Sequence, residues 1–261
     1  MPRTIQRALG LVGALGLVAV MAMPVAAQNE AFVRVVHASP DAPNVDVWVE
    51  GEIVLADVPF TAVSDYLALP AGTYNVQVTA TGSTDPVIDA DLTLEASTSY
   101  TVAATGLLAD ITATVLTDDR TPVDGQAKLR VFHASPSAPA EVDVAVTDGP
   151  ILVEALAYSE ATGYLTVDAG RYPLEIRGAG DEMAALTLEA TLEAGQNYTA
   201  IAMDDPDAEV PVQVIVATEA MAASPDTAMT ATATPIALIG LVLVVLAAAT
   251  AMPIAVRRTR A

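Results

Sequence analysis

Apolar and polar residues alternate with a period of two through most of the chain. Val45, Val47 and Val49 alternate with Asp46, Trp48 and Glu50, and Tyr74, Val76 and Val78 alternate with Asn75, Gln77 and Thr79. The pattern returns with Val142, Val144 and Val146, and with Tyr172, Leu174 and Ile176. Such alternation sets one face of a strand on a core and the other in water, as in antiparallel sheets. Turn-forming clusters separate the runs: Ser39-Pro40-Asp41, Glu50-Gly51-Glu52, Pro70-Ala71-Gly72 and Thr81-Gly82-Ser83. Seven or eight short strands per repeat are predicted, which argues for an all-β sandwich.

The alternation belongs to an internal duplication. The segment Val33-Arg34-Val35-Val36-His37-Ala38-Ser39-Pro40-Asp41-Ala42-Pro43 returns as Leu129-Arg130-Val131-Phe132-His133-Ala134-Ser135-Pro136-Ser137-Ala138-Pro139. Val45-Asp46-Val47 returns as Val142-Asp143-Val144, and Tyr66-Leu67 as Tyr164-Leu165. Ala71-Gly72-Thr73-Tyr74 returns as Ala169-Gly170-Arg171-Tyr172. Leu94-Glu95-Ala96 before Tyr100-Thr101 returns as Leu192-Glu193-Ala194 before Tyr198-Thr199. A tyrosine placed so at a strand start can bond back to the preceding turn while its ring enters the core, which supports an immunoglobulin-like sandwich. The expected fold is two tandem immunoglobulin-like antiparallel β-sandwich modules, residues 28–124 and 125–219.

Both ends break the alternation. Arg3 and Arg7 precede an apolar run from Ala8 to Met23, and Val25-Ala26-Ala27 supplies small residues for cleavage, so residues 1–27 read as a signal peptide. From Pro235 to Val256 the chain is apolar apart from Thr250, and Arg257, Arg258 and Arg260 follow. That run is long enough for a helix to cross a hydrocarbon core of roughly 30 Å. The arginines place residues 257–261 as a cytoplasmic basic tail and the bulk of the chain outside the cell. Residues 220–234, rich in Ala, Thr, Ser and Pro, read as a stalk. Ser224-Pro225-Asp226-Thr227-Ala228 is similar to a sortase sorting signal but lacks its leading leucine and final glycine, so wall anchoring is the minor alternative to a single-pass cell-membrane protein.

Composition narrows the functions. The formal net charge is −21, from 32 acidic and 11 basic residues, and five of the basic ones are the terminal arginines. So acidic an external part disfavours nucleic acid and anionic membrane surfaces as partners. The chain has no cysteine, which excludes disulfides, thiolate nucleophiles and cysteine metal sites. An ordinary hydrophobic core must hold each module, and about 100 residues suffice for one.

The His-Ala-Ser-Pro-Asp-Ala-Pro segment, the following Val-Asp-Val and the Leu-Pro-Ala-Gly-Thr-Tyr turn resemble the bacterial and archaeal family called domain of unknown function 4397, across both modules from about Ala31 to Ala217. Copy two departs from it at Ser137, where copy one has Asp41, and at the inserted Glu141. The resemblance implies an exported β-sandwich without an established activity.

Candidate chemistry is sparse. His37 and His133 are the two histidines; each lies by parity on the apolar side at a strand end, where bonding to the adjacent Ala-Ser-Pro turn is the simplest role. A metal role would recruit Asp41 and Asp46, yet Ser137 replaces Asp41 in copy two. Ser39 beside His37 invites a nucleophile–base reading, but no third orienting group or oxyanion loop accompanies it. Arg34, Arg130, Asp46 and Asp143 recur on the outward face, where a cross-strand ion pair is expected if their strands are neighbours. Trp48 is outward by parity and becomes Ala145 in copy two; an exposed indole suits a sugar ring or a protein partner. No catalytic, cofactor-binding or metal residue is assigned. The reading is a non-enzymatic surface repeat protein with a structural, adhesive or scaffolding role, joined to the membrane by one C-terminal helix and facing an envelope protein or glycan partner. The alternative is an extracellular ligand-binding module for glycans or divalent cations.

Overall fold

The computed structural model describes residues 29–207 and 211–219. The signal segment, stalk, membrane helix and basic tail expected from the sequence lie outside the described residues. Among the described residues no helix is long and apolar enough to cross a membrane.

Eight strands build the first module: β1 Glu30–Ala38, β2 Val45–Val49, β3 Glu52–Val58, β4 Leu67–Pro70, β5 Gly72–Ala80, β6 Pro86–Leu94, β7 Ser99–Thr105 and β8 Thr112–Asp118. Eight more repeat the plan: β9 Gln126–His133, β10 Glu141–Val146, β11 Ile151–Ala157, β12 Leu165–Asp168, β13 Gly170–Gly178, β14 Leu186–Leu192, β15 Asn197–Asp204 and β16 Val212–Thr218. In module 1 the sheet β4-β1-β7-β8 packs on the sheet β3-β2-β5-β6; in module 2, β12-β9-β15-β16 packs on β11-β10-β13-β14. Neighbours are antiparallel except β1 with β7 and β9 with β15, which run parallel.

The sandwich expected from the sequence is present, with a strand order that differs from the immunoglobulin one. There the first, second, fourth and fifth strands share a sheet. Here the first strand lies between the fourth and seventh, and the second pairs with the third and fifth. The corner tyrosines do form: the Glu95 and Glu193 backbone N–H groups donate to the Tyr100 and Tyr198 hydroxyls, each at 3.1 Å, and both rings are buried.

Alternation fills each interior. Val45, Val47, Leu55, Val78 and Ile88 pack in module 1, and Val142, Val144, Leu174, Ile176 and Leu188 pack in module 2. A third apolar layer lies between the modules. Val36, Ala38 and Ala103 of β1 and β7 pack with Phe132, Ile201, Met203 and Ala217 of β9, β15 and β16, and with Ala134 just past β9. These side chains stand on the faces of β4-β1-β7-β8 and β12-β9-β15-β16 that point away from their own sandwich cores. The two sheets therefore face each other, and their central strands are buried on both sides. Small residues at Ala38, Ala103, Ala134 and Ala217 let the backbones approach closely. The result is four stacked sheets.

Candidate functional site

At one end of the apolar layer between the modules, charged side chains replace hydrophobic ones. Arg34 of β1 donates through Nε to Thr101 Oγ1 at 2.8 Å and through Nη2 to Glu219 Oε1 at 2.9 Å. Arg130 of β9 donates through Nη2 to Asp118 Oδ1 at 2.5 Å and to Thr199 Oγ1 at 2.9 Å. Each arginine thus reaches an acid at the end of the other module's last strand. Tyr66 donates its hydroxyl to Asp118 Oδ2 at 2.6 Å, and Tyr164 donates to Glu219 Oε2. Each arginine also lies over the tyrosine of its own module, Arg34 at 5.1 Å from the Tyr66 ring centre and Arg130 at 4.8 Å from that of Tyr164. The contacts are reciprocal, as across a two-fold axis.

This clasp is dry. Arg34 is 1% exposed, Arg130 3% and Glu219 2%. Buried charges persist only when paired and hydrogen-bonded. Here each carboxylate accepts from an arginine, a tyrosine and a threonine: Thr101 donates to Asp118 Oδ2 at 2.7 Å, and Thr199 donates to Glu219. Burial pushes the Tyr66 and Tyr164 hydroxyls far up; the arginines oppose the shift, and the carboxylates add to it. Both tyrosines therefore remain donors.

The expected pairing of Arg34 and Arg130 with Asp46 and Asp143 is corrected by this geometry. β1 and β2 lie in different sheets, and the outward face of β1 meets the other module instead of water. Asp46 points outward as its parity requires, yet turns cover it and it is buried. Its Oδ1 accepts from the Asp57 N–H at 2.8 Å and its Oδ2 from the Gly82 N–H at 3.1 Å. Asp143 accepts from Ala155 N–H at 2.8 Å and Gly180 N–H at 3.1 Å. Asp57 and Ala155 both hold positive φ, 54° and 49°, where the β3 and β11 edges bulge. The recurrent Asp is a clamp on that bulge. Its carboxyl sits below the ordinary range, chiefly because the Asp57 amide bonds Asp46 and the Ala155 amide bonds Asp143.

The histidines close the sandwich ends. His37 Nε2 donates to Pro43 O at 3.1 Å, and His133 Nε2 donates to Pro139 O at 2.9 Å. Both rings are fully buried, edge-on to Phe60 and Tyr158. Burial lowers both histidine pKa values, against the pull of the proline carbonyls. Ser39 meets the His37 ring through its backbone N–H, at 3.4 Å from Nδ1, so its hydroxyl is not aligned with a base. Asp41 accepts from the Leu108 N–H at 2.7 Å. In module 2, where Ser137 replaces it, Asp204 enters from β15 and accepts from Ser135 and from the Ser137 hydroxyl. Asp204 stands where module 1 has Gly106, whose φ is +94° and where a Cβ would lie 2.9 Å from Asp110 O. The two copies thus fasten the same turn with an acid from opposite sides.

Trp48 is half-buried on the outer face of β2, with Nε1–H donating to Thr79 Oγ1 at 3.0 Å. Among the described residues no group of three or more His, Asp or Glu side chains is arranged to hold a metal ion. A small hollow beside His133, walled by Val142, Ile176 and Leu186, has an apolar surface.

Asp118, Glu219, Thr101, Thr199, Tyr66 and Tyr164 escaped the sequence reading as site residues. Their signal was present: Tyr-Leu and Tyr-Thr recur, and an acid closes the last strand of each copy.

The sequence profile described as Domain of unknown function (DUF4397) matches residues 31–145 and 140–231. The chain belongs to this family. In this DUF4397 chain the first match runs past β8 into β10, so the matched segments overlap while the two sandwiches do not. No curated protein matches the chain in sequence. Among solved structures it is similar to the Bacillus anthracis TIE protein, at 12% identity and a TM-score of 0.23, over 67% of this chain and 34% of that one. It is also similar to CBMbc, of family CBM26, from Eubacterium rectale Amy13K in complex with maltoheptaose, at 7% identity and a TM-score of 0.24, over 75% of this chain and 98% of that one. The DUF4397 chain thus spans about a third of the length of the first of these.

Proposed function

We propose that the chain is an exported, non-enzymatic surface protein whose two modules act as one rigid spacer or scaffold, held to the cell membrane by a single C-terminal helix. The buried clasp carries the reading. Modules that only needed to be tethered would meet through a small, polar, wet contact. Here an apolar layer and four desolvated charges lie between them, and Glu219 leads directly into the stalk segment. Force or position at the stalk would therefore be transmitted to both modules together. The positive n-region and apolar run of residues 1–27, and the apolar run closed by Arg257, Arg258 and Arg260, support export and anchoring. Of the six basic residues outside the ends, Arg34 and Arg130 are buried in the clasp, which leaves a strongly acidic surface suited to remaining soluble and unaggregated.

Topology on intact cells tests this. With one epitope inserted at the exposed Glu182-Met183 bend and another after Ala261, an antibody should reach the first without permeabilisation and the second only after it. The reverse labelling, or both epitopes inside, would overturn the surface assignment.

A further inference from the structure

The outer face of β3-β2-β5-β6 carries a group of side chains that neither the clasp nor the core uses. Trp48 and Ile53 are direct cross-strand partners, because the bulge at Val54 turns Ile53 outward; Ile53 is 47% exposed. Across the other edge Trp48 pairs with Gln77, and Gln77 with Asp89. Thr79 also points outward, yet it is only 2% exposed and receives the indole N–H. The indole N–H therefore reaches across to Thr79, and Trp48 stays half-buried on the outer face of the sheet. Beside it, Asn75 Nδ2 and Gln77 Nε2 donate to the two oxygens of Asp89 at 2.8 and 3.0 Å. That ladder fixes three planar polar groups and leaves two amide carbonyls and the outer carboxylate lone pairs available.

We propose that this face binds an uncharged oligosaccharide, with a pyranose stacked on Trp48 and hydroxyls of the neighbouring unit donating to Gln77, Asn75 and Asp89. A pyranose presents apolar C–H groups on its face and hydroxyl donors at its edge, which matches a flat indole bordered by fixed acceptors. From β2 to β6 the face spans two strand spacings, about 10 Å, which exceeds one ring and calls for a chain of sugars. Charge selects the class: Asp89, Asp91 and Glu50 surround the platform and the chain is strongly acidic, so anionic polysaccharides are repelled. Module 2 has lost the site. Ala145, 1% exposed, replaces Trp48, and its partner Glu175 is held by Arg177 at 3.4 Å. One site per chain results. The inference is independent of the spacer reading, since it needs neither the clasp nor the anchor.

Trp48 is the single tryptophan of the chain, so its emission reports this face alone. The full chain, in a detergent without a sugar headgroup, would be titrated with cellohexaose, maltohexaose and chitohexaose, and with oligogalacturonate as the anionic control. A saturable emission change is expected with at least one neutral oligosaccharide and none with the control. Gln77→Ala keeps the fluorophore, removes a half-buried side chain of the outer face together with its bond to Asp89, and should weaken binding roughly tenfold, as loss of a central contact does. No saturable change with any of the three below about 10 mM, where binding falls under roughly 3 kcal/mol, would overturn the proposal. So would equal response to the anionic control, or a Gln77→Ala affinity equal to the parent's.

Discussion

Removing the Arg34 guanidinium is the sharpest perturbation of the clasp. Arg34→Ala deletes the bonds to Thr101, Thr199 and Glu219 and the contact to the Thr218 carbonyl. It leaves Glu219 buried, with Thr199, Tyr164 and the more distant Arg130 Nη2 at 3.5 Å as its remaining partners. Breaking a buried pair from one side costs about 3–5 kcal/mol, and the partners left to Glu219 place this case near 3 kcal/mol. For the roughly 190 residues of the two modules that lowers Tm by about 6–12 °C. The control is Arg171→Ala: Arg171 meets Glu189 at 3.8 Å with both side chains more than two-thirds exposed, and such pairs contribute about 0–1 kcal/mol. Urea unfolding followed by circular dichroism measures both. A clasp that joins the modules also predicts that the parent unfolds in one transition, and that Arg34→Ala lowers the midpoint or separates two transitions of smaller m. An Arg34→Ala loss as small as that of Arg171→Ala, with m unchanged, would refute the reasoning. Retaining the arginine's charge is not enough, because Arg34→Lys cannot reach both Thr101 and Glu219 through a planar fork and should recover only part of the loss.

Two further outcomes follow from the clamps. Asp143→Ala strips the bonds at Ala155 and Gly180 from a positive-φ bulge and should cost about 2–3 kcal/mol, read as a shift in urea midpoint; a shift below 0.5 kcal/mol, the range of an ordinary surface change, would contradict the clamp. The histidines set a pH dependence. His37 titrates below its ordinary 6.5 in the folded chain, so the unfolded chain takes up the proton first as pH falls. The stability it contributes is complete above 6.5 and declines below it toward the folded value. His37→Gln should therefore show a weaker fall in Tm between pH 6.5 and about 5 than the parent; an unchanged slope would remove His37 as its source.

The strands, their turns and the duplication were legible because alternation and Gly or Pro punctuation are local. So was the corner role of Tyr100 and Tyr198. What lay out of reach was the meaning of the outward face. Parity puts Arg34 opposite the core of its own sandwich, and within one module that direction is water; only the second module makes it an interior. A trace of this was visible in Phe32-Val33-Arg34-Val35-Val36 and Tyr198-Thr199-Ala200-Ile201-Ala202, near-continuous apolar runs of the kind found in strands buried on both faces. Asp46 was misassigned for a different reason: its face was read correctly, but the bulge at Asp57 and the turn at Gly82 fold over it, and a bulge leaves no periodic mark. The strand order also escaped, since alternation specifies faces and is silent on neighbours.

One distance measurement bears most directly on whether the modules form a single body. The chain has no cysteine, so Val87→Cys on β6 and Thr187→Cys on β14 would take spin labels at two unique, exposed strand positions, one on each outer sheet. Four stacked sheets set those strands apart by three sheet spacings, about 30 Å. Pulsed double electron–electron resonance should give one narrow distribution near that separation, broadening in Arg34→Ala. A broad distribution in the parent chain, spread over tens of ångströms, would show two modules moving independently and contradict the account.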